Sequence, residues 1–359
     1  MELAETAKKF VLIDGNAILH RAYHALPPLT NSKGVVANAA YGFFSMFLKI
    51  LEDLKPQYIA VCFDRPKPTF RQELYAGYQQ KRPAMADDLV PQIGMVHKVL
   101  EKMNVQIFEI DGYEADDLIG TLATQVVQLS VLGSQFSDKS QSDDQSISLK
   151  NRKTEKPRDQ HLKTENRKPI TEVIIVSGDR DMLQLVNGHV KVLMPVTGLS
   201  NTILHDSESV KKKYGVKPSQ FIDYKALVGD ASDGYPGVAG IGPKTAAELL
   251  TKHGTFEHMF THLSDLPEKI AEKMAKDAEQ AALAKKLATI VTDAPVSFDS
   301  EKCNISHFSK EGTREALEEL GFKSLLKRYF ENGSASSAAV RQPQLKQNKN
   351  NKNKQLGLL

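Results

Sequence analysis

Cysteine is almost missing from this 359-residue chain: Cys62 and Cys303 are the only two, and neither has a metal-binding companion at short spacing. A disulfide framework and a cysteine-based metal centre are thereby set aside, and a reducing compartment fits. Long apolar runs are missing too, so no stretch reaches membrane-spanning length. Residues 1–10 are mostly polar and lead straight into Phe-Val-Leu-Ile, which lacks the apolar centre of a signal peptide. An excess of charge of either sign is missing as well: 47 Lys and Arg against 44 Asp and Glu leave +3, which hides a partner rather than revealing one. The expectation is a soluble, cytoplasmic protein without membrane contact, long enough for two domains or for one large domain with attachments.

What the chain does have is acid in a particular setting. Gly112 to Thr121 reads Gly-Tyr-Glu-Ala-Asp-Asp-Leu-Ile-Gly-Thr, with Glu114, Asp116 and Asp117 packed just before an apolar, helix-compatible run, Leu118 to Val127. Free N–H groups and the dipole at a helix start favour one such acid, or two. Three repel one another and call for a multivalent cation or bound protons. On this stretch alone, capping and metal binding both stay open.

The same setting recurs along the chain. Phe10 to Ile13 reads as a buried strand and ends in Asp14-Gly15-Asn16; a plain turn would explain that aspartate equally well. Ala39 to Leu54 has helical spacing, with Tyr41, Phe43, Phe44 and Phe47 as core. Tyr58 to Phe63 is a second strand closed by Asp64, Leu89 to Met103 reads as helix, and Val105 to Ile110 is a third strand leading into the acid cluster. Val173 to Val176 is closed by Ser-Gly-Asp179-Arg-Asp181, and Val190 to Met194 reads as a further strand. Two helical stretches, Ser207 to Tyr214 and Pro218 to Leu227, lead into Asp230 and Asp233, three residues apart. Acids at the carboxyl ends of parallel strands share one edge of the sheet, where ligands collect in α/β folds. Asp14, Asp64, Glu114, Asp116, Asp117, Asp179, Asp181, Asp230 and Asp233 are therefore expected to line one pocket. Oxygen ligands without Cys favour Mg²⁺ or Mn²⁺ over Zn²⁺. Two such ions roughly 4 Å apart suit in-line phosphodiester displacement.

Two stretches point to nucleic acid. Thr69 to Met85 carries Arg71, Tyr75, Tyr78, Lys81 and Arg82 with few aliphatics, which suits phosphate contact and base stacking, and suits a solvated loop equally. Pro236 to Ala246 is a glycine-rich turn feeding a helix through Gly240-Ile-Gly242-Pro-Lys244-Thr245, with Pro243 fit for the first turn. Its spacing is not that of a nucleotide-binding phosphate loop; it is the signature of a helix-hairpin-helix, whose free N–H groups hold backbone phosphate. Gly237, Gly240, Gly242, Lys244 and Thr245 are its expected contacts. Residues 130–169 are polar and poor in aliphatics, an expected disordered insert, and residues 332–359 form a basic tail of the same kind. The tail ends in Gln355-Leu356-Gly357-Leu358-Leu359, an apolar cluster fit for docking on a partner.

Taken together and in order, Leu-Ile-Asp-Gly-Asn, Cys-Phe-Asp, Gly-Tyr-Glu-Ala-Asp-Asp, Val-Ser-Gly-Asp-Arg-Asp, Val-Gly-Asp-Ala-Ser-Asp and Pro-Gly-Val-Ala-Gly-Ile-Gly-Pro-Lys-Thr-Ala resemble the 5′-nuclease (flap endonuclease) family, most nearly the 5′→3′ exonuclease domain of bacterial DNA polymerase I. The resemblance implies an α/β, PIN-like fold with a mostly parallel sheet, a helical arch containing Arg71 to Arg82, and a helix-hairpin-helix subdomain. It divides the chain into a catalytic domain of residues 1–206, a helical subdomain of 207–331 and the tail. It implies one metal on Asp14, Asp64, Glu114, Asp116 and Asp117, a second on Asp179, Asp181, Asp230 and Asp233, and a monovalent cation such as K⁺ at the hairpin. Substrates would be DNA with 5′ flaps, nicks or RNA-primed 5′ ends, cut by a monomer to leave a 5′-phosphate and a 3′-hydroxyl. Gln355, Leu356, Leu358 and Leu359 resemble the peptide by which bacterial replication proteins bind the sliding clamp. One departure stands out: where the family has Tyr-Lys, this chain has Tyr78-Gln79, with Lys81 and Arg82 following. A catalytically weak branched-DNA-binding module and a related ribonuclease are the competing readings.

Overall fold

The computed structural model describes residues 8–31, 34–138, 170–198 and 201–331. Most of the expected insert and the whole tail, including its terminal leucines, lie outside the described residues.

The first strand, β1 (Lys8–Asp14), runs into α1 (Gly15–Ala25) without a loop, because Asp14 ends the strand and caps the helix at once. Its Oδ1 accepts from the Ala17 N–H at 2.9 Å. Gly15 is required there: a Cβ would lie 2.3 Å from the Phe63 ring. α2 (Asn38–Leu54), β2 (Tyr58–Cys62), α3 (Phe70–Leu74), α4 (Val90–Lys102), β3 (Gln106–Phe108), α5 (Ala115–Asp138), β4 (Ile170–Val176), β5 (Val190–Thr197) and β6 (Asn201–His205) complete the α/β layer. Strand order is β3-β2-β1-β4-β5-β6, parallel except for antiparallel β6.

Alternation along β1 sends Phe10 and Leu12 to one face, under Leu118, Ile119 and Leu122 of α5. Val11 and Ile13 go to the other, under Phe43, Phe44 and Phe47 of α2. Both faces are thus buried, which explains the continuously apolar strands. Ile13 is level with Val61 on one side and with Val176 on the other. Asp14, Asp64 and the Ser177–Asp181 turn consequently leave the same edge, where the strand order reverses.

A helical region follows: α6 (Ser207–Tyr214), α7 (Phe221–Val228), the ribbon β7 (Gly229–Asp230) with β8 (Tyr235–Pro236), α8 (Pro243–His253), α9 (Phe256–Thr261), α10 (Glu268–Lys276) and α11 (Ala278–Ala288). Two expectations are corrected here. Helix α5 does not end before the expected insert: its backbone runs to Asp138, and the Ser130 hydroxyl bonds back to the Val126 carbonyl at 2.8 Å. Nor do residues 207–331 form one helical unit. After Thr289 the chain returns to the α/β layer, where Ala294 N–H bonds the Thr121 hydroxyl at 3.0 Å and Ile59 N–H bonds the Cys303 carbonyl at 2.8 Å. The last helices, α12 (Lys310–Glu319) and α13 (Lys323–Glu331), pack on α4 and α2, with Arg328 paired to Glu52 at 2.8 Å.

Candidate metal and nucleic-acid site

Asp14 sits at the floor of the cleft, with its Oδ2 accepting from the Ser177 hydroxyl at 2.7 Å. Asp64 leaves the neighbouring strand, and its Oδ1 accepts from the Ala115 N–H at 2.7 Å, which caps α5. Glu114 accepts from the Thr69 hydroxyl at 3.2 Å, from Arg71 at 3.0 Å and from the Tyr78 hydroxyl at 3.0 Å. Asp116 begins α5, with an Oδ1 that is buried and has no hydrogen-bond partner. A buried orphan carboxylate oxygen among other acids is what a divalent ion would satisfy, so these residues fit one.

Asp117 behaves differently and corrects the expected ligand set. It is 0% exposed. Its Oδ1 accepts from Arg71 and from the Val291 N–H, each at 2.8 Å, and its Oδ2 from Arg71 at 2.8 Å and the Glu114 N–H at 3.2 Å. All four acceptor positions are filled by the protein, leaving none for a metal. Arg71, expected to contact DNA, is its partner and is 1% exposed. The remaining guanidinium donors go to Glu114 and to the Leu287 and Thr289 carbonyls. Tyr78 is likewise buried, bonded to Glu114 rather than presented to a base. The expected arch is, in its first half, a five-residue helix followed by turns anchored in the interior. Arg71 and Tyr78 point inward, whereas Gln72, Glu73, Leu74 and Ala76 between them are exposed, as are Lys81 and Arg82 at its end.

The second set gathers on the other side of the cleft. Ser177 Oγ accepts from the Asp179 N–H at 2.9 Å, and Asp179 Oδ1 from the Asp181 N–H at 2.8 Å, so the turn after β4 is built from its own polar groups. Carboxylate oxygens of Asp181, Asp230 and Asp233 lie within 4.8 Å of one another, a grouping that fits a cation. Lys225, on α7, reaches between them, 2.6 Å from Asp181 Oδ1 and in contact with Asp230. Arg82 meets Asp233 at 2.5 Å. Lys225 was not anticipated. Its signal was a lone lysine inside an apolar helical stretch five residues before Asp230.

The hairpin glycines divide. Gly237 is buried, and a Cβ there would lie 2.3 Å from the Leu227 carbonyl, so it serves close packing rather than DNA contact. Gly240, at φ +74°, and Gly242 are exposed with Lys244 at the start of α8, and Thr245 is half-buried. Lys273 donates to the Gly240 carbonyl at 3.2 Å and Gln280 to the Gly237 carbonyl, so those two oxygens already have partners.

Burial raises Asp14 to about 7, with Asp64 adding to it. Burial also raises Asp181 to about 7, aided by Asp179 and opposed by Lys225, and Glu114 to about 7 against the pull of Arg71. Asp116 is pushed well above the usual carboxylate range by burial, although Arg71 opposes the shift. Asp230 alone goes down: burial opposes this, but Lys225 and Ser232 outweigh it. The cleft holds more negative charge than the protein can neutralise.

Comparison with known proteins places this geometry. Residues 9–163 match the model of the 5′-3′ exonuclease N-terminal resolvase-like domain, and residues 216–311 that of the 5′-3′ exonuclease C-terminal SAM fold. A 5′-3′ exonuclease of Aquifex aeolicus is 33% identical over 89% of this chain and 94% of its own. The chain belongs to the 5′-3′ exonuclease family. DNA polymerase I of Caldicellulosiruptor bescii is 38% identical over 89% of this chain, and that of Bacillus subtilis 35% over 91%. This family member spans 33% of the length of each. Among solved structures, the T5 D15 protein crystallised with metal ions has the same fold, with TM-score 0.59 and 18% identity over 89% of this chain and 99% of that one. The catalytic core of Rad2 in complex with DNA substrate follows at 0.51, with 14% identity over 89% of this chain and 92% of that one.

Two outcomes follow from these contacts. Replacing Arg71 by Met strands Asp117 without its partner and should lower stability by about 3–5 kcal/mol in urea unfolding. An Arg71→Met protein as stable as the parent would show that the pair carries no such weight. In the second, the native state holds protons on Asp14, Glu114 and Asp181 more tightly than the unfolded chain does. Their contribution is complete below the unfolded values of 3.8 to 4.5 and is lost as pH rises through about 7. With chelator present, the thermal midpoint should fall across that window, and Mg²⁺ should raise it more at about pH 8 than at about pH 5. An equal Mg²⁺ effect at both would count against ionised carboxylates as the binding groups.

Proposed function

We propose that this protein is a metal-dependent 5′→3′ exonuclease and 5′-flap endonuclease that hydrolyses DNA phosphodiester bonds in Okazaki fragment maturation and repair. The observation that carries this is the convergence of acids from the ends of β1, β2 and β4, from the start of α5 and from the ribbon β7–β8 on one edge of the sheet, beside the exposed glycine turn that opens α8. Asp14, Asp64, Glu114 and Asp116 would hold one Mg²⁺, and Asp179, Asp181, Asp230 and Asp233 a second, with Mn²⁺ able to substitute. When bound, such ions activate a water and neutralise charge on the departing oxygen. The chain's own residues do the rest. Ser177 and the Ala115 N–H fix the orientation of Asp14 and Asp64. Thr69, Arg71 and Tyr78 fix that of Glu114. Lys81, Arg82, Lys244, Thr245 and the exposed N–H groups around Gly240 and Gly242 would bind phosphates on either side of the cut.

Support for the substrate comes from neighbours: the T5 D15 flap endonuclease is known in a pseudo-enzyme-product complex with DNA and metal ions, and Rad2 with its DNA substrate. A monovalent ion such as K⁺ would bind the hairpin through carbonyls other than those of Gly237 and Gly240. For organisation we propose a catalytic unit of residues 1–206, a DNA-gripping unit from 207, and a tail from 332 to 359, with 290–331 bracing the catalytic unit. The protein would act as a cytoplasmic monomer, with Gln355 to Leu359 docking on the sliding clamp.

With a 5′-labelled double-flap DNA and Mg²⁺, cuts at the junction should leave 5′-phosphate and 3′-hydroxyl ends. Asp179→Asn should lose that cleavage while still binding the flap in Ca²⁺; turnover equal to the parent's would sink the metal assignment.

A further inference from the structure

Three of the four acids of the second set are already in contact with two cations of the chain itself. Lys225 lies against Asp181 and Asp230, and Arg82 against Asp233. The two differ in how they are held. Lys225 is anchored in α7 and is 8% exposed, with its ammonium held by two carboxylates. Arg82 has a side chain 49% exposed on a backbone that is fixed. Its N–H bonds the Gln79 carbonyl at 2.9 Å, and the Gln79 N–H bonds the Asp233 carbonyl at 2.7 Å. Gln79 sits at φ +55°, and a Cβ on Gly234 would come within 2.9 Å of the Gly77 carbonyl, so the two loops touch backbone to backbone. The loop carrying Asp233 and the loop carrying Arg82 therefore move together, while the guanidinium remains free to turn.

A divalent cation would compete for these carboxylates with an ammonium and a guanidinium that already hold one oxygen of each, because like charges at such range repel strongly. Once displaced, both groups are left beside the cleft as unpaired donors, and the guanidinium fork matches phosphate geometry. We propose that Arg82 and Lys225 are exchangeable counter-ions: the divalent ion takes their carboxylates as the DNA phosphate takes them, so metal and DNA each bind tightly only in the presence of the other. This rests on the nuclease reading above. Coupling of this kind is reciprocal, DNA raising ion affinity by the factor by which the ion raises DNA affinity. Arg82 and Lys225 are on this account positioning residues whose removal strengthens one ligand while weakening another.

The test is Ca²⁺ titration of the full chain by calorimetry, with and without a 5′-flap duplex. In the DNA-free protein, Lys225→Met and Arg82→Gln should each tighten Ca²⁺ binding roughly tenfold, within the usual range of coupling between sites. The further tightening that the flap duplex gives the parent should shrink in both. Unchanged or weaker Ca²⁺ binding by the DNA-free variants would overturn the proposal. Should Lys225→Met fail to fold, the exposed Arg82→Gln decides alone, and Arg82→Lys should restore the parent's behaviour in part. Absence of cleavage by the parent in Mg²⁺ would instead sink the nuclease reading, since the ion titration does not depend on turnover.

Discussion

The site depends on one buried ion pair. Arg71 and Asp117 are taken almost wholly out of water, at a cost of several kcal/mol per ion that only complete pairing offsets. Here the pairing is complete. The guanidinium donates through Nε to Leu287, through Nη1 to Glu114 and Asp117, and through Nη2 to Asp117 and Thr289. Asp117 adds two backbone N–H groups to its two from arginine. Those bonds join the short helix after β2, the start of α5 and the chain leaving α11, three segments far apart in sequence. A network of this kind fixes a unique arrangement, because any shift leaves a charge without a partner.

That pair also sorts the acids by task. Asp117 is spent on the fold, whereas Asp116, one residue earlier, keeps a buried oxygen without a hydrogen-bond donor. Glu114 stands between them, sharing Arg71 with Asp117 and sharing the cleft with Asp64. A single arginine cannot neutralise all of them, and the surplus appears as carboxyls that hold their protons near neutral pH. The fold is thus strained electrostatically at the place where a cation is useful, and the interior pair keeps the repelling groups from spreading apart.

How much of this could be read beforehand follows from which interactions are local. Strands ending in Asp14 and Asp64, and the turn with Asp179 and Asp181, were legible because a short, continuously apolar run and the acid closing it are contiguous. The parallel sheet then brings the ends together without further information. Arg71 and Tyr78 were misread as surface because a basic, aromatic stretch looks alike whether it faces water or a buried carboxylate; only the tertiary partner decides. Gly237 was misread for a similar reason: nothing near it in sequence says that Leu227 and Gly229 close upon it. The return of residues 290–331 to the α/β layer was equally hidden, since its anchoring bonds to Thr121, Gln125 and Ile59 span well over a hundred residues.

The backbone makes the hairpin and the cleft one body. Asp230 and Asp233 lie in the ribbon that connects α7 to the hairpin, so the acids that would hold a metal and the turn that would hold a phosphate are separated by a few residues of paired backbone. Tyr78, from the turns after α3, and Tyr235, from the ribbon, share a small apolar cluster with Ala284, Leu287 and Ala288 of α11. Leu287 is also the residue whose carbonyl receives Arg71. Under the proposed function, the register between duplex and reacting phosphate would be set by this short, doubly anchored connection. A nuclease that cuts at a fixed distance from a duplex junction needs that distance built into its rigid frame, and in the proposed reading it would be built from the same contacts that bury the arginine.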